Sequence, residues 1–331
     1  MKMGKKVVLV PGDGVGPEIA SAAMAVLDSL VDDIEVIQAD AGFNCYNRTG
    51  ESLPIPTLES VDDCDAVLIG ALANPGTRNY RDPLQEIKKR EDLYANVRFI
   101  QKIVPDLGSA DINVFFVREE DRSNSISEVE ELDGASLTIK VNDANSKRVI
   151  QMAKRLAENF DMKVTCVHNA TKHPVTNGIF LRTFKDVMEG SPVQYNDEGI
   201  EGAVSTMALE PSKYGLIVSL NPYSDILSAE AASLVGGAHL IPEAMLGEKM
   251  GLFRPMHGPT PRLEGLNQIN PTAMLMATSK MLLYLGYRKQ SDILKEAIRS
   301  AYKRGFRTVD VGGSTGTYDF GAQVARICET F

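Results

Sequence analysis

The chain has 331 residues, 44% of them hydrophobic and 24% charged, with four cysteines and no tryptophan. That balance excludes intrinsic disorder, a collagen and a disulfide-framed miniprotein, and the length predicts about two domains. The net charge of −9 argues against nucleic acid or an anionic membrane as partner, but not against a small anion held by a local arginine cluster. Cys45, Cys64, Cys166 and Cys328 form no CxxC pair and read as reduced, buried thiols of a cytoplasmic protein. No apolar run approaches the length of a membrane span. The opening MKMGKKVVLV enters a strand at once, without room for a signal peptide.

In chain order, Val7–Val10 is a β-branched run stopped by Pro11-Gly12-Asp13-Gly14, the pattern of a buried strand. A helix follows over about Glu18–Leu30, opened by Pro17 and an acid in its first turn. Its residues Ile19, Ala22, Ala23, Val26 and Leu30 share one face. Ile34–Gln38, Ala66–Gly70 and Asn113–Val117 are further strands, and Ser136–Val141 alternates like an exposed or paired one. Val149–Glu158 reads as a helix, Lys163–His168 and Leu216–Leu220 as strands, and Met274–Leu285 as a buried helix. Strands alternating with amphipathic helices predict an α/β fold with a largely parallel sheet.

Four segments carry candidate chemistry. GDGVGPE (Gly12–Glu18) lies between a strand and a helix, and is either a set of backbone amides for an anion or a tight glycine turn. Lys88, Lys89, Arg90, Arg98 and Arg118 supply positive charge. Arg118 directly follows a buried strand, where open α/β sheets bind ligands, and its planar fork suits a carboxylate. Asp225 follows the strand Leu216–Leu220 and is either a Mg²⁺ ligand or a helix cap. His257, in the stiff loop MHGPTP, is either a ligand contact or a structural histidine. The remaining histidines have no zinc spacing, and no GxSxG motif occurs.

Seven stretches in order resemble the isocitrate/isopropylmalate dehydrogenases, metal-dependent decarboxylating β-hydroxyacid dehydrogenases. They are VVLVPGDGVGPEI, DLYANVR (92–98), FFVRE (115–119), VTCVHNATKHPVTNGIF (164–180), SLNPYSDILSAEAASLVGG (219–237), HGPTPRLEGLNQINPTA (257–273) and TVDVGGSTGT (308–317). The resemblance implies a two-domain α/β fold with domains discontinuous in sequence. Residues 1–98 plus 252–331 would form a large domain with the dinucleotide loop. Residues 99–251 would form a small domain with the dimer interface and the metal-side residues. It also implies NAD(P)-dependent oxidative decarboxylation of a 3-carboxy-2-hydroxy acid of isocitrate, isopropylmalate or homoisocitrate type, with Mg²⁺ or Mn²⁺.

Carried over residue by residue, that chemistry is uneven. Arg98 and Arg118 fall on two of the three carboxylate-binding arginines, and Lys88 on the first, where it keeps charge but loses the fork. Asp82 falls where many members place a substrate-contacting serine or threonine. The catalytic lysine falls on Asn169, whose amide takes no proton near neutral pH, and the general-acid tyrosine on Ser125. The metal aspartates fall on Glu201, Asp225 and Ala229. His257, Gly258 and Asn270 match the adenosine loop, and Arg262 stands where NAD-dependent members carry an aspartate, a lean towards NADP. Two functions remain open. One is a divergent dehydrogenase, with Lys172 or His173 in the lysine's role and Glu119 or Glu120 assisting a metal. The other is a non-catalytic or regulatory subunit of a hetero-oligomeric dehydrogenase.

Overall fold

In the computed structural model of the chain, residues 4–77, 79–120 and 126–331 are described. The chain opens with β1 (Lys5–Gly12), α1 (Gly16–Leu30), β2 (Ile34–Gln38), α2 (Phe43–Thr49), α3 (Ile55–Asp62), β3 (Ala66–Ala71) and α4 (Pro83–Arg90). It continues through β4 (Ala95–Gln101), β5 (Asn113–Glu119), β6 (Ile126–Glu131), β7 (Gly134–Ile139), α5 (Asp143–Phe160), β8 (Val164–His168), α6 (Thr176–Met188), β9 (Tyr195–Gly199) and α7 (Ile200–Leu209). The remaining elements are β10 (Leu216–Ser219), α8 (Tyr223–Leu234), β11 (Pro242–Leu246), β12 (Gly251–Pro255), α9 (Thr272–Tyr284), α10 (Arg288–Lys303) and α11 (Thr317–Cys328).

Two compact units share the chain. The first contains the residues up to Leu93, Lys102–Ser109 and everything from Val235 on; the second contains Tyr94–Gln101 and Ala110–Leu234. Residues 94–98 thus fall in the second unit because β4 pairs along its whole length with β5. Residues 235–251 fall in the first, where β11 and β12 form an antiparallel pair.

The first unit orders its strands β2-β1-β3-β12-β11, parallel except for β11. Strand β3, AVLIGA, is buried along its whole length, as expected of a strand covered on both faces. Its core gathers Val8, Val10, Val67, Ile69, Ile87, Met245 and Leu252. Helix α10 buries Leu294, Ala297, Ile298 and Ala301 at helical spacing, whereas α9 is buried on nearly every side.

The second unit orders its strands β4-β5-β10-β8-β9, again parallel except for the antiparallel β4–β5 pair. Phe115 packs edge-on against Phe99 and Phe160 at its centre. Of the predicted strand Ser136–Val141, residues 136–139 pair and 140–141 do not: β7 runs antiparallel to β6 as a separate two-stranded sheet. Val129, Leu132 and Leu137 of this hairpin are exposed.

The four thiols are free, and burial pushes those of Cys64 and Cys328 up to about 12, which keeps them protonated and unreactive. Among the described residues no helix is long and apolar enough to cross a membrane.

Candidate functional site

The second unit concentrates its polar chemistry at the C-terminal ends of β5 and β10. Arg118, near the end of β5, is buried, and its Nε lies 3.1 Å from Asp225 Oδ1. Arg98, on β4, places Nη1 2.7 Å from the same Oδ1. Arg98 Nη1 also donates to Ser228 Oγ, and Arg118 Nη1 donates to the carbonyl of Glu119. Asp225 and Ser228 lie three residues apart in the first turns of α8, so one helix edge addresses both guanidinium groups. One carboxylate oxygen therefore serves two cations.

The neighbouring acids are engaged by amides. Asn96 Nδ2 donates to Glu120 Oε2 at 3.1 Å, and Asn145 Nδ2 donates to Glu119 Oε1 at 2.7 Å. Asn169 follows β8, and its backbone N–H donates to Asn177 Oδ1. Lys172 is exposed and pairs with Glu201 at 2.7 Å. The hydrogen bond to Glu201 and the nearby carboxylate charge raise the Lys172 pKa above its ordinary value, which leaves less neutral amine free to take a proton near neutral pH. Glu201 is correspondingly held below the usual carboxylate range by Lys172. Ser125 lies outside the described residues.

The first unit presents the second constellation, the loop from His257 to Asn270. GDGVGPE holds this loop. Val15 donates its backbone N–H to the carbonyl of Pro259, and the Asp13 and Gly16 N–H groups are spent on Ala71 and on Asp13 itself. Gly12 and Gly14 have φ of +80° and +56°, and a Cβ on Gly14 would lie 2.1 Å from the Pro259 carbonyl oxygen. The tight-turn reading of these glycines is therefore correct, because backbone must meet backbone here. Buried Asp13 accepts backbone hydrogen bonds from Phe43, Asn44 and Ala73, and Glu18 Oε1 accepts one from Gly265 at 2.6 Å.

Within the loop, His257 Nδ1 lies 3.0 Å from the Gly258 carbonyl. A carbonyl only accepts, so Nδ1 carries the hydrogen and Nε2 remains an acceptor, with no hydrogen-bond partner among the described residues. Burial holds the imidazole below its ordinary value, against the pull of the Gly258 carbonyl. A Cβ on Gly258 would meet nothing within 4 Å, and Arg262 is exposed. Asn270 is buried: its Nδ2 donates to Tyr302 Oη and Asp310 Oδ2, and its Oδ1 accepts from the N–H of Thr272 at the start of α9. Its amide anchors the loop to the core. Asp310 also lies 3.0 Å from His239 Nε2, within ion-pair distance although poorly aligned for a hydrogen bond.

Asp82 and Lys88 sit at opposite ends of α4. Asp82 is the helix N-cap and accepts from the N–H of Leu84 at 2.9 Å, while Lys88 is buried in the last turn. Ser228, Tyr302 and Asp310 carry no role in the sequence reading, whereas Glu18 closes the GDGVGPE motif and is the first-turn acid of its helix.

A family model described as isocitrate/isopropylmalate dehydrogenase matches residues 6–324. The chain belongs to this family. It is 36% identical over 329 residues to the 3-isopropylmalate dehydrogenase of Methanothermobacter thermautotrophicus, covering 98% of both chains. To the isocitrate/homoisocitrate dehydrogenase of Thermus thermophilus it is 33% identical, covering 96% of this chain and 97% of that one. The crystal structure of isocitrate dehydrogenase from Methylococcus capsulatus superposes with a TM-score of 0.90 at 28% identity, over 98% of this chain and 99% of that one.

Members of the family use NAD(P) together with Mg²⁺ or Mn²⁺. The loop residues here fit a dinucleotide: an orphaned acceptor on His257, open space over Gly258 and an exposed guanidinium. The described residues do not fit a divalent cation in the same way. No three of their histidine, cysteine, aspartate or glutamate side chains gather into a group that would hold one. Asp225 is taken by two arginines, Glu201 by Lys172, and Ala229, one turn beyond Asp225, offers no side-chain oxygen.

Proposed function

We propose that the protein binds a 3-carboxy-2-hydroxy acid of isocitrate, isopropylmalate or homoisocitrate type together with NAD(P), and that oxidative decarboxylation by the chain alone is slow. The observation that carries this reading is the convergence of the Arg98 and Arg118 guanidinium groups on one oxygen of Asp225, with Arg98 held also by Ser228 Oγ and Arg118 by the Glu119 carbonyl. Two such forks match two carboxylate oxygens with charge-assisted hydrogen bonds. On the loop, His257 Nε2 offers an acceptor to an N–H donor of a base, and Arg262 a cation to a 2′-phosphate. When bound, the nicotinamide supplies the hydride acceptor.

Proton handling is the weak point. Asn169 takes no proton, Ser125 lacks a phenol, and Lys172 is held in its charged form by Glu201. Loss of one positioned acid or base lowers rates about 10²–10⁴-fold. An assay of the purified protein with NAD⁺ and NADP⁺ against isocitrate, isopropylmalate and homoisocitrate tests the reading. Ligand binding with turnover far below one per second supports it. Turnover of tens per second overturns the slow-chemistry part.

The engagement of Lys172 by Glu201 also favours a second reading, a regulatory subunit that needs a catalytic paralogue. Stimulation of such a paralogue by this chain distinguishes the two. The exposed apolar residues of the β6–β7 hairpin support assignment of a dimer interface to the second unit.

A further inference from the structure

A groove on the second unit shares no residue with the arginine cluster or the His257–Asn270 loop. We propose that this groove, between α5 and α6, binds a pyrophosphoryl group, either free or carried by a nucleotide.

Helices α5 and α6 pack side by side, and the groove between them encloses about 660 Å³, room for a small ligand. Lys147, Gln151 and Lys154 line it from α5, and Arg182 from α6. Their i, i+4, i+7 spacing puts the three α5 side chains on one face, with the two lysines about 10 Å apart along the axis. Lys154 Nζ lies 3.5 Å from the Val187 carbonyl oxygen, which directs that ammonium across the groove towards α6. Elsewhere the chain matches its surface cations with acids, as Lys5 with Asp65, Lys6 with Asp63, Arg90 with Asp62 and Arg307 with Asp106. Acids outnumber bases 44 to 35, so a matched cation is the default. In the groove that default fails. Asp143 stands one turn before Lys147 and Asp186 one turn after Arg182, spacings that suit helical ion pairs. Neither pair forms, and no carboxylate among the described residues lies within ion-pair distance of Lys147, Lys154 or Arg182. Asp143 instead accepts from Thr183 Oγ1 at 3.2 Å, and it sits at the N-terminus of α5, where the helix dipole favours its charge. Lysine ammonium groups and the arginine fork are the side chains that bind phosphate oxygens, and the Gln151 amide adds a neutral donor. Two linked phosphates spread their charge along this row of cations, which a single carboxylate does not.

Calorimetry on the full chain, with inorganic pyrophosphate, ADP and citrate as probes, tests this. Saturable binding of pyrophosphate is expected, weakened about tenfold or more in Lys147→Gln with Arg182→Gln and, separately, in Lys154→Gln. Urea unfolding of these variants should match wild type, which separates loss of binding from loss of fold. ADP bound more tightly than pyrophosphate marks a nucleotide as the ligand, and ADP bound more weakly marks free pyrophosphate; both support the site. No saturation by pyrophosphate below about 1 mM overturns the proposal. So does binding that the groove variants leave unchanged. Equal weakening in Arg262→Ala or Arg118→Leu moves the anion to the loop or to the arginine cluster and overturns it too. Citrate bound as tightly as pyrophosphate overturns the phosphate assignment.

Discussion

Glu18, in the first turn of α1, accepts the backbone N–H of Gly265 across 247 residues of chain. Glu18 itself is buried, and its second oxygen, Oε2, has no hydrogen-bond partner among the described residues. The N-terminal GDGVGPE motif thus clamps the His257–Asn270 loop at two points, Glu18 at Gly265 and Val15 at Pro259. A hydrogen bond to a charged group contributes about 1.5–3 kcal/mol, so Glu18→Ala should lower stability by about that amount in urea unfolding. Glu18→Gln, which keeps an acceptor at Oε1, should lose less. Hydrogen exchange at Gly265 should accelerate in both. Unchanged exchange there would detach the loop from this clamp.

Arg262 is expected to set cofactor choice. In calorimetry, NADP⁺ should bind more tightly than NAD⁺, and Arg262→Ala should weaken NADP⁺ about tenfold, roughly 1.4 kcal/mol, while leaving NAD⁺ unaffected. Tighter NAD⁺ binding, unchanged by the substitution, would remove the assignment.

Restoring the missing groups should restore rate. Asn169→Lys with Ser125→Tyr returns a base and an acid, and the pair should act as a unit rather than multiply. A gain of about 10²–10⁴-fold in isocitrate or isopropylmalate oxidation is expected, with Ala229→Asp adding a metal oxygen. No gain, with the Arg98–Asp225 pair intact, would mean that the proton is handled elsewhere.

The pH dependence follows from His257. Burial lowers its pKa in the folded protein, so between the folded and unfolded values the unfolded chain binds the extra proton. This histidine's contribution to stability is therefore intact above its ordinary pKa of about 6.5 and falls as the solution is acidified below it. Charges facing it are Arg254 and His239, which push the same way, and Asp310, which opposes. In His257→Gln the stability profile below about pH 6.5 should be flatter than in wild type. An unchanged slope would place the acid sensitivity at another group.

The parallel architecture was legible because β1, β3, β5, β8 and β10 are short apolar runs bounded by turn residues. Strands β4 and β12 were not singled out: Arg98 interrupts ANVRFIQ, and GLFRP ends in proline. The helix over Arg288–Lys303 was also missed, although its buried residues repeat at helical spacing. Arg118 and Asp225 were recognised as single residues placed by strand ends, and Arg98 by its place in the matched stretch DLYANVR. Their convergence on one oxygen was not legible, because β5 pairs with β10 across about 100 residues of sequence and nothing local encodes that pairing. Asn270 reads as a ligand contact in the motif, yet its amide is spent on Tyr302, Asp310 and α9, partners that depend on the tertiary fold.

The discontinuity of the first unit bears on how the chain is made. Strand β3 meets β12 in register, Ala66 against Gly251 and Leu68 against Phe253, partners about 185 residues apart. A ribosome adding about 5–20 residues per second leaves that fully apolar strand without its second neighbour for roughly 10–40 s. Meanwhile all of the second unit emerges and is free to fold. The nascent first unit therefore passes through a stage with an open, sticky edge, the stage at which holdase chaperones and low synthesis temperature should matter most for yield.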